Sequence, residues 1–108
     1  MKAIARAAVL GVVAAGSLAA AQAQDAAAGK SKAAACAVCH GAKGLSVAPD
    51  APNLAGQPAI YLAAQLKAYR DGTRRHEVMS VMAKPLTDAD IANLAAWFAS
   101  IKVEATLP

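Results

Sequence analysis

The chain has 108 residues, of which 11 are basic and 7 are acidic, for a net charge of +4. Two of the 11 basic residues, Lys2 and Arg6, lie in an N-terminal apolar segment, and the remaining 9 against 7 leave only +2. This balance gives no argument for a nucleic-acid partner. The two cysteines allow at most one disulfide, which excludes a disulfide-rich framework.

The N-terminal segment has the pattern of a secretory signal peptide. Lys2 and Arg6 supply a positive start, an apolar run extends over residues 7–21, and Ala21-Gln22-Ala23 provides small residues for cleavage. An uncleaved membrane anchor is the alternative, but the run is short for a bilayer span. We therefore predict a signal peptide at residues 1–24, export to the periplasm, and one mature domain at residues 25–108 without a membrane span.

The mature domain has few large side chains with which to build a core. It contains one Trp, two Tyr and one Phe. A chain this short buries too little apolar surface to be stable without a cross-link, a metal or a cofactor. A disulfide between Cys36 and Cys39 would close only a four-residue loop and restrain little. The composition therefore favours a cofactor that forms part of the core.

A first helix is predicted over residues 26–38. Asp25 can cap it, and its alanine-rich sequence favours helix. Gly29 lies inside this helix, where glycine costs stability. This predicts a close backbone crossing at Gly29, with a tolerated surface defect as the alternative.

The end of this helix carries Cys36-Ala37-Val38-Cys39-His40, the attachment sequence for c-type haem. Two thiols one turn apart can bond the two vinyl groups of a haem, and His40 can then reach the iron. A redox dithiol is an alternative, but it normally lies near a βαβ pattern, of which this sequence has no sign. A zinc site would need His76 as a fourth ligand, and His40 follows Cys39 too closely for an easy tetrahedron. We predict one haem c, bound covalently through Cys36 and Cys39, with His40 as an iron ligand.

The middle of the chain is predicted to be loop, helix and loop. Glycines and prolines indicate a loop over residues 41–57. A second helix is predicted from Pro58, a residue suited to the first helical position, to near Gly72. Residues 73–86 are predicted to be irregular.

The last helix has the clearest pattern. Thr87 and Asp90 have the spacing of a capping box, with aspartate in place of the usual glutamate. Apolar residues then recur at helical spacing and predict one buried face, formed by Ile91, Leu94, Phe98 and Ile101.

Three further stretches resemble class I cytochromes c, in particular the small bacterial branch with the c-553 cytochromes and the repeats of dihaem cytochromes c. They are residues 51–57 around Pro-Asn-Leu, residues 61–66 with Tyr-Leu-x-x-Gln-Leu, and residues 79–91 with Met-x-x-Met-Ala-x-x-Leu-Thr-Asp. The resemblance extends over residues 26–102. It implies an all-α class I cytochrome c fold, in which three to four short helices and loops are wrapped around one covalently bound haem.

The resemblance also implies that the first and last helices cross at close range. Gly29 and Ala33 would then pack against Ala95, Trp97 and Phe98. Tryptophan at position 97 departs from the tyrosine common in the family, and we expect the larger ring to fill the same groove.

The second iron ligand has three candidates, Met79, Met82 and His76. A methionine opposite a histidine closes the iron site and raises its potential, which suits electron transfer. In the family the ligand lies seven residues before the leucine that opens the last helix, which corresponds to Met79 before Leu86. Met82 is the alternative and is otherwise expected to fill the core. His76 is expected in solvent.

The resemblance assigns supporting roles to three further residues. The Pro52 carbonyl would accept a hydrogen bond from the His40 ring and fix its orientation. Leu54 and Leu66 would cover the face of the haem.

The predicted function is that of a periplasmic one-electron carrier. No catalytic acid–base pair is visible in the sequence, so we do not expect an enzyme. The alternatives are a haem subunit held on a dehydrogenase or oxidase, and a gas-binding sensor or small haem enzyme with an open iron position.

We expect a monomer that docks transiently on redox protein partners over a small interface. Basic side chains could form a patch that steers the approach of these partners. The candidates are Lys43, Lys67, Arg70, Arg74 and Arg75. Scattered, solvated charge is the competing interpretation.

Overall fold

The computed structural model describes residues 8–12 and 24–108. The predicted signal peptide falls mostly on residues 1–7 and 13–23, which lie outside the described residues, so it stays a prediction. Residues 24–108 form five α-helices and one 3-10 turn joined by loops, with no strand. Among the described residues, no helix is long and apolar enough to cross a membrane.

The first predicted helix is divided into three parts. Helix α1 spans Ala26–Lys32, a 3-10 turn spans Ala33–Ala35, and α2 spans Ala37–His40. The prediction of one continuous helix over residues 26–38 is therefore wrong. The Cys36 N–H bonds to the Ala33 carbonyl at 2.9 Å, three residues back, which tightens the chain before the two cysteines. Alanine favours helix in general, so propensity alone did not reveal this change of pitch.

Helix α3 spans Ala59–Asp71 and is followed by Gly72 in the left-handed conformation. Pro58 lies one position before the helix, and its carbonyl accepts from the Leu62 N–H at 3.0 Å. The prediction that residues 73–86 are irregular is wrong in part, because Met79–Ala83 form a short helix, α4. Side-chain and backbone hydrogen bonds around His76 close this single turn, and no periodicity in the sequence indicates them.

Helix α5 spans Asp88–Ser100 and begins with the predicted capping box. The Thr87 hydroxyl accepts from the Asp90 N–H at 3.1 Å, and the Asp90 carboxylate accepts from the Thr87 N–H at 3.0 Å. The predicted buried face is confirmed for Ile91, Leu94 and Phe98. Ile101 lies just beyond the helix, where it is half-buried and packs against the core.

Helices α1 and α5 cross at close range, and Gly29 is the reason that they can. A Cβ atom at Gly29 would overlap the backbone carbonyl of Asn93 and come within 2.9 Å of the Trp97 Cβ. Gly29 is itself buried. The predicted crossing is therefore confirmed, and the Asn93 backbone is a contact that the sequence did not reveal.

The core lies where the 3-10 turn, α3 and α5 meet. It consists of Ala33, Leu62, Leu94, Ala95 and Phe98, and the half-buried Trp97 packs against it. Two of the chain's bulkiest buried residues belong to α5, since Ile91 is 0% and Leu94 is 2% exposed. The last helix thus supplies most of the apolar surface against which the other helices pack.

A polar tie joins the end of α3 to the beginning of α5. Arg70 pairs with Asp88 at 2.8 Å and donates to the Leu86 carbonyl at 3.1 Å. These contacts hold both ends of the segment that contains α4. The segment between Arg70 and Asp88, which contains α4, therefore has its two ends close together.

Candidate functional site

Cys36, Cys39 and His40 lie in one turn of the chain that ends in α2. The His40 N–H bonds to the Cys36 carbonyl at 2.9 Å. Both thiols are half-buried and are not joined in a disulfide. Burial raises the pKa of the Cys36 thiol above its ordinary value.

The His40 side chain is buried, with 7% of its surface exposed. Its Nδ1 donates to the Pro52 carbonyl oxygen at 2.8 Å. This hydrogen bond is the one that the resemblance implies, and it fixes the orientation of the ring. It leaves Nε2 as the nitrogen available to a metal, an arrangement common for ligating histidines.

The loop of residues 41–57 holds Pro52 in place through contacts that the sequence analysis missed. The Asn53 side-chain oxygen accepts from the Ser46 N–H at 2.7 Å, and the Gly44 carbonyl accepts from the Leu54 N–H at 2.8 Å. Gly44 has a φ of +73°, and a Cβ there would come within 3.0 Å of the Phe98 ring. The only signal in the sequence was the Pro-Asn-Leu stretch itself, where we assigned roles to Pro52 and Leu54 but not to Asn53.

The ligand candidates of the second half of the chain gather around α4. Met79 is the first residue of this helix, is half-buried and lies near His40. Met82 follows in the same helix and is 38% exposed, so the expectation that it fills the core is wrong. His76 is exposed as predicted, but its Nδ1 is engaged by the backbone N–H groups of Val78 and Met79, which the prediction of an ordinary solvated side chain did not include.

Leu54 and Leu66 are half-buried and pack against the core cluster. Cys36 packs against the same cluster. The fold thus brings apolar side chains from the loop of residues 41–57 and from α3 beside the cysteine-bearing turn. An apolar wall next to two thiols and an oriented imidazole suits a flat, largely apolar ligand.

The zinc alternative finds no support in the structure. Within residues 24–108, which include all four Cys and His side chains, no three or more His, Cys, Asp or Glu residues gather closely enough to hold a metal ion. A structural zinc site requires four such ligands in a tetrahedron.

Comparison with known proteins decides the family. The family model for cytochrome c matches residues 26–102, which include the cysteine motif, His40 and all five helices. The chain belongs to the cytochrome c family. Its helical structure and its structural relatives confirm the all-α class I cytochrome c fold.

Two relatives of this cytochrome differ in how much of their own length it covers. It is 49% identical over 79 residues to cytochrome c-554(548) of Halomonas halodenitrificans, and the match covers 70% of this chain and 95% of that protein. It is also 49% identical over 79 residues to cytochrome c4 of Pseudomonas aeruginosa, covering 73% of this chain but only 39% of that protein.

A third relative is named for a redox role. It is the thiosulfate dehydrogenase electron acceptor of Thiomonas intermedia, which is 47% identical over 72 residues, covering 66% of this chain and 33% of that protein. Among solved structures, reduced cytochrome c4 of Pseudomonas stutzeri matches with a TM-score of 0.69 and 42% identity. That match covers 74% of this chain and 47% of the cytochrome c4 chain. The chain thus spans less than half the length of these two proteins.

The residues of the site fit the cofactor of the family. This cytochrome carries one haem c, attached covalently through Cys36 and Cys39. The two half-buried thiols lie in the turn that leads into His40, and the Pro52 hydrogen bond leaves the His40 Nε2 available. Electron transfer is the function that the family and the names of its members support.

Proposed function

We propose that this cytochrome is a periplasmic one-electron carrier whose haem iron is bound between His40 and Met79. The observation that supports the proposal most strongly is the buried His40 ring, held at Nδ1 by the Pro52 carbonyl with Met79 nearby. When bound, the haem supplies an iron that gains and loses one electron, and methionine ligation raises its potential.

The two proposed ligands are positioned by different parts of the fold. His40 ends α2 and is fixed by the loop that carries Pro52, whereas Met79 begins α4. With the haem bound, His40 and Met79 would both hold the iron and would leave no open position for a substrate or a gas. This closed arrangement favours a carrier over an enzyme or a sensor, because electron transfer requires little change in the ligands.

The ligand assignment is tested by two matched methionine variants. Met79→Ala is expected to abolish the weak far-red sulfur-to-iron absorption band of the ferric protein and to lower the midpoint potential. Met82→Ala removes the same side chain from the same helix and is expected to retain the band. Survival of the band in Met79→Ala, or its loss in Met82→Ala, would contradict the assignment.

The periplasmic location rests on the pattern of the first 24 residues. Lys2 and Arg6 precede an apolar run that ends in Ala21-Gln22-Ala23. N-terminal sequencing of the protein recovered from a periplasmic extract is expected to begin at Gln24 or Asp25. Recovery of the protein only in the membrane fraction with residues 1–24 intact would instead indicate an uncleaved anchor.

The proposed partners are redox proteins, such as a dehydrogenase that donates electrons. One relative is named as the electron acceptor of thiosulfate dehydrogenase, which makes this class of donor a reasonable first choice. Arg70, a member of the proposed basic patch, pairs with both Asp88 and Asp71, so its charge is largely compensated. We therefore propose docking that depends little on long-range attraction.

A further inference from the structure

His76 is exposed, yet its side chain and backbone make several hydrogen bonds. Its Nδ1 accepts hydrogen bonds from the backbone N–H groups of Val78 and Met79, each at 3.2 Å. Its own N–H donates to the Ser80 hydroxyl at 3.0 Å, and its carbonyl accepts from the Ser80 N–H at 3.0 Å. One residue thus closes the turn from which α4 begins.

These bonds perform the task of a helix cap. The N–H groups of the first turn of a helix have no partner within the helix and need another acceptor. Val78, the residue directly before α4, provides no side-chain cap. The His76 ring supplies the missing acceptor for Val78 and for Met79 itself.

The His76 ring also packs against α3. The ring packs edge-on against Tyr69, with 6.5 Å between the centroids and 72° between the planes. Arg74 lies over the same Tyr69 ring at 4.7 Å and donates to the Gln65 side-chain oxygen at 2.7 Å. The segment before α4 therefore packs against α3. His76 contacts Tyr69 of α3 through its ring and the Met79 backbone through its Nδ1.

We propose that His76 is a positioning residue for the methionine ligand. It acts through two hydrogen bonds, one from the Val78 N–H and one from the Met79 N–H, that fix the backbone at the start of α4 and so hold the Met79 thioether in position for the iron. The inference rests on the proposed function, because it requires that Met79 is the ligand. It assigns His76 no bond to the iron.

The test measures how easily an added ligand displaces the methionine. Imidazole is titrated into the ferric haem-loaded protein, and its binding is followed by loss of the far-red band. His76→Ala is expected to bind imidazole about tenfold more tightly, the effect of losing one to two hydrogen bonds that favour the methionine-bound state. Its midpoint potential is also expected to fall. Methionine ligation raises the potential by favouring ferrous iron, and weaker ligation reduces this effect.

Two further variants separate the hydrogen bonds from the ring. His76→Asn keeps a side-chain oxygen that can accept from N–H groups two and three residues ahead, and it is expected to restore an imidazole affinity close to native. His76→Phe keeps a ring against Tyr69 without an acceptor and is expected to resemble His76→Ala. Arg75→Ala is the control, since Arg75 is an exposed neighbour whose side chain donates to the Gly72 carbonyl at 3.4 Å and, within the described residues, makes no hydrogen bond to α4.

The possible outcomes distinguish failure of the positioning role of His76 from failure of the Met79 ligand assignment. Unchanged imidazole affinity in His76→Ala, or native behaviour of His76→Phe, overturns the positioning role. If Met79→Ala loses the band at the same time, the ligand assignment stands and only the role of His76 falls. If Met79→Ala retains the band, both proposals fall.

Discussion

The crossing of α1 and α5 allows a quantitative prediction for Gly29→Ala. The new methyl group would overlap the Asn93 carbonyl and approach the Trp97 Cβ at 2.9 Å, so the helices must move apart. Overpacking costs about 1–3 kcal/mol in general, and overlap with a backbone carbonyl places this case in the upper part of that range, at about 2–3 kcal/mol. Replacing glycine by alanine in a helix returns about 1 kcal/mol. We expect a net loss of about 1–2 kcal/mol in the free energy of unfolding.

Thermal unfolding of the haem-loaded protein, followed by helical circular dichroism, measures this loss. A net loss of that size lowers the Tm of a domain this small by roughly 4–16 °C. Ala27→Gly, an exposed position in the same helix, is the control and reports helix propensity alone.

A double variant identifies the atom responsible for the cost. The cost of Gly29→Ala should be the same in a Trp97→Gly background, which lacks the Trp97 Cβ, because the nearest atom is a backbone carbonyl that no side-chain truncation removes. A Gly29→Ala protein as stable as the native protein, or more stable, would refute the reasoning.

Three further predictions concern the site loop, acid stability and partner docking. Asn53→Ala removes the acceptor of the Ser46 N–H and is expected to lower the free energy of unfolding by about 1 kcal/mol, whereas Asn53→Asp keeps the acceptor and should cost less in a denaturant titration. The Arg70 hydrogen bond lowers the pKa of Asp88, and the Thr87 backbone N–H lowers that of Asp90. A carboxylate with a lowered folded-state pKa stabilises the protein above its unfolded pKa and loses this effect as the pH falls through the folded value. The Tm should therefore be nearly level above about pH 5 and fall below about pH 4. A double variant, Asp88→Asn with Asp90→Asn, should make this fall less steep. If the double variant loses Tm with acid as steeply as the native protein, these two carboxylates are not the cause. Electron-transfer rates with a redox partner should change little with salt, whereas a steep decrease would restore the basic-patch hypothesis.

The features of α5 that the sequence predicted have local causes. The capping box of Thr87 and Asp90 and the spacing of Ile91, Leu94 and Phe98 each act within a few residues, and the structure has them as predicted. Helix α4 and the 3-10 turn before Cys36 were missed. Both depend on hydrogen bonds, made by His76 in one case and by alanine backbone in the other, that leave no periodic pattern.

Some residues of the site could be predicted from a sequence motif, whereas others are apparent only in the structure. The Cys36, Cys39 and His40 motif specifies the cofactor directly, because its chemistry lies in adjacent residues. The Pro52 contact came from the family resemblance. The support from Asn53 could not be predicted, because it depends on how the loop returns to Ser46 seven residues away. The His76 contacts reach only two and three residues ahead, but a histidine ring that accepts from backbone N–H groups leaves no pattern in the sequence.

The most direct test of the account is a redox titration of the exported, haem-loaded protein, with carbon monoxide added to the fully reduced sample at neutral pH. We predict a one-electron transition, a far-red band in the ferric state, and no carbon monoxide binding to the ferrous protein. Binding of carbon monoxide, or a ferric spectrum without that band, would contradict an iron closed between His40 and Met79.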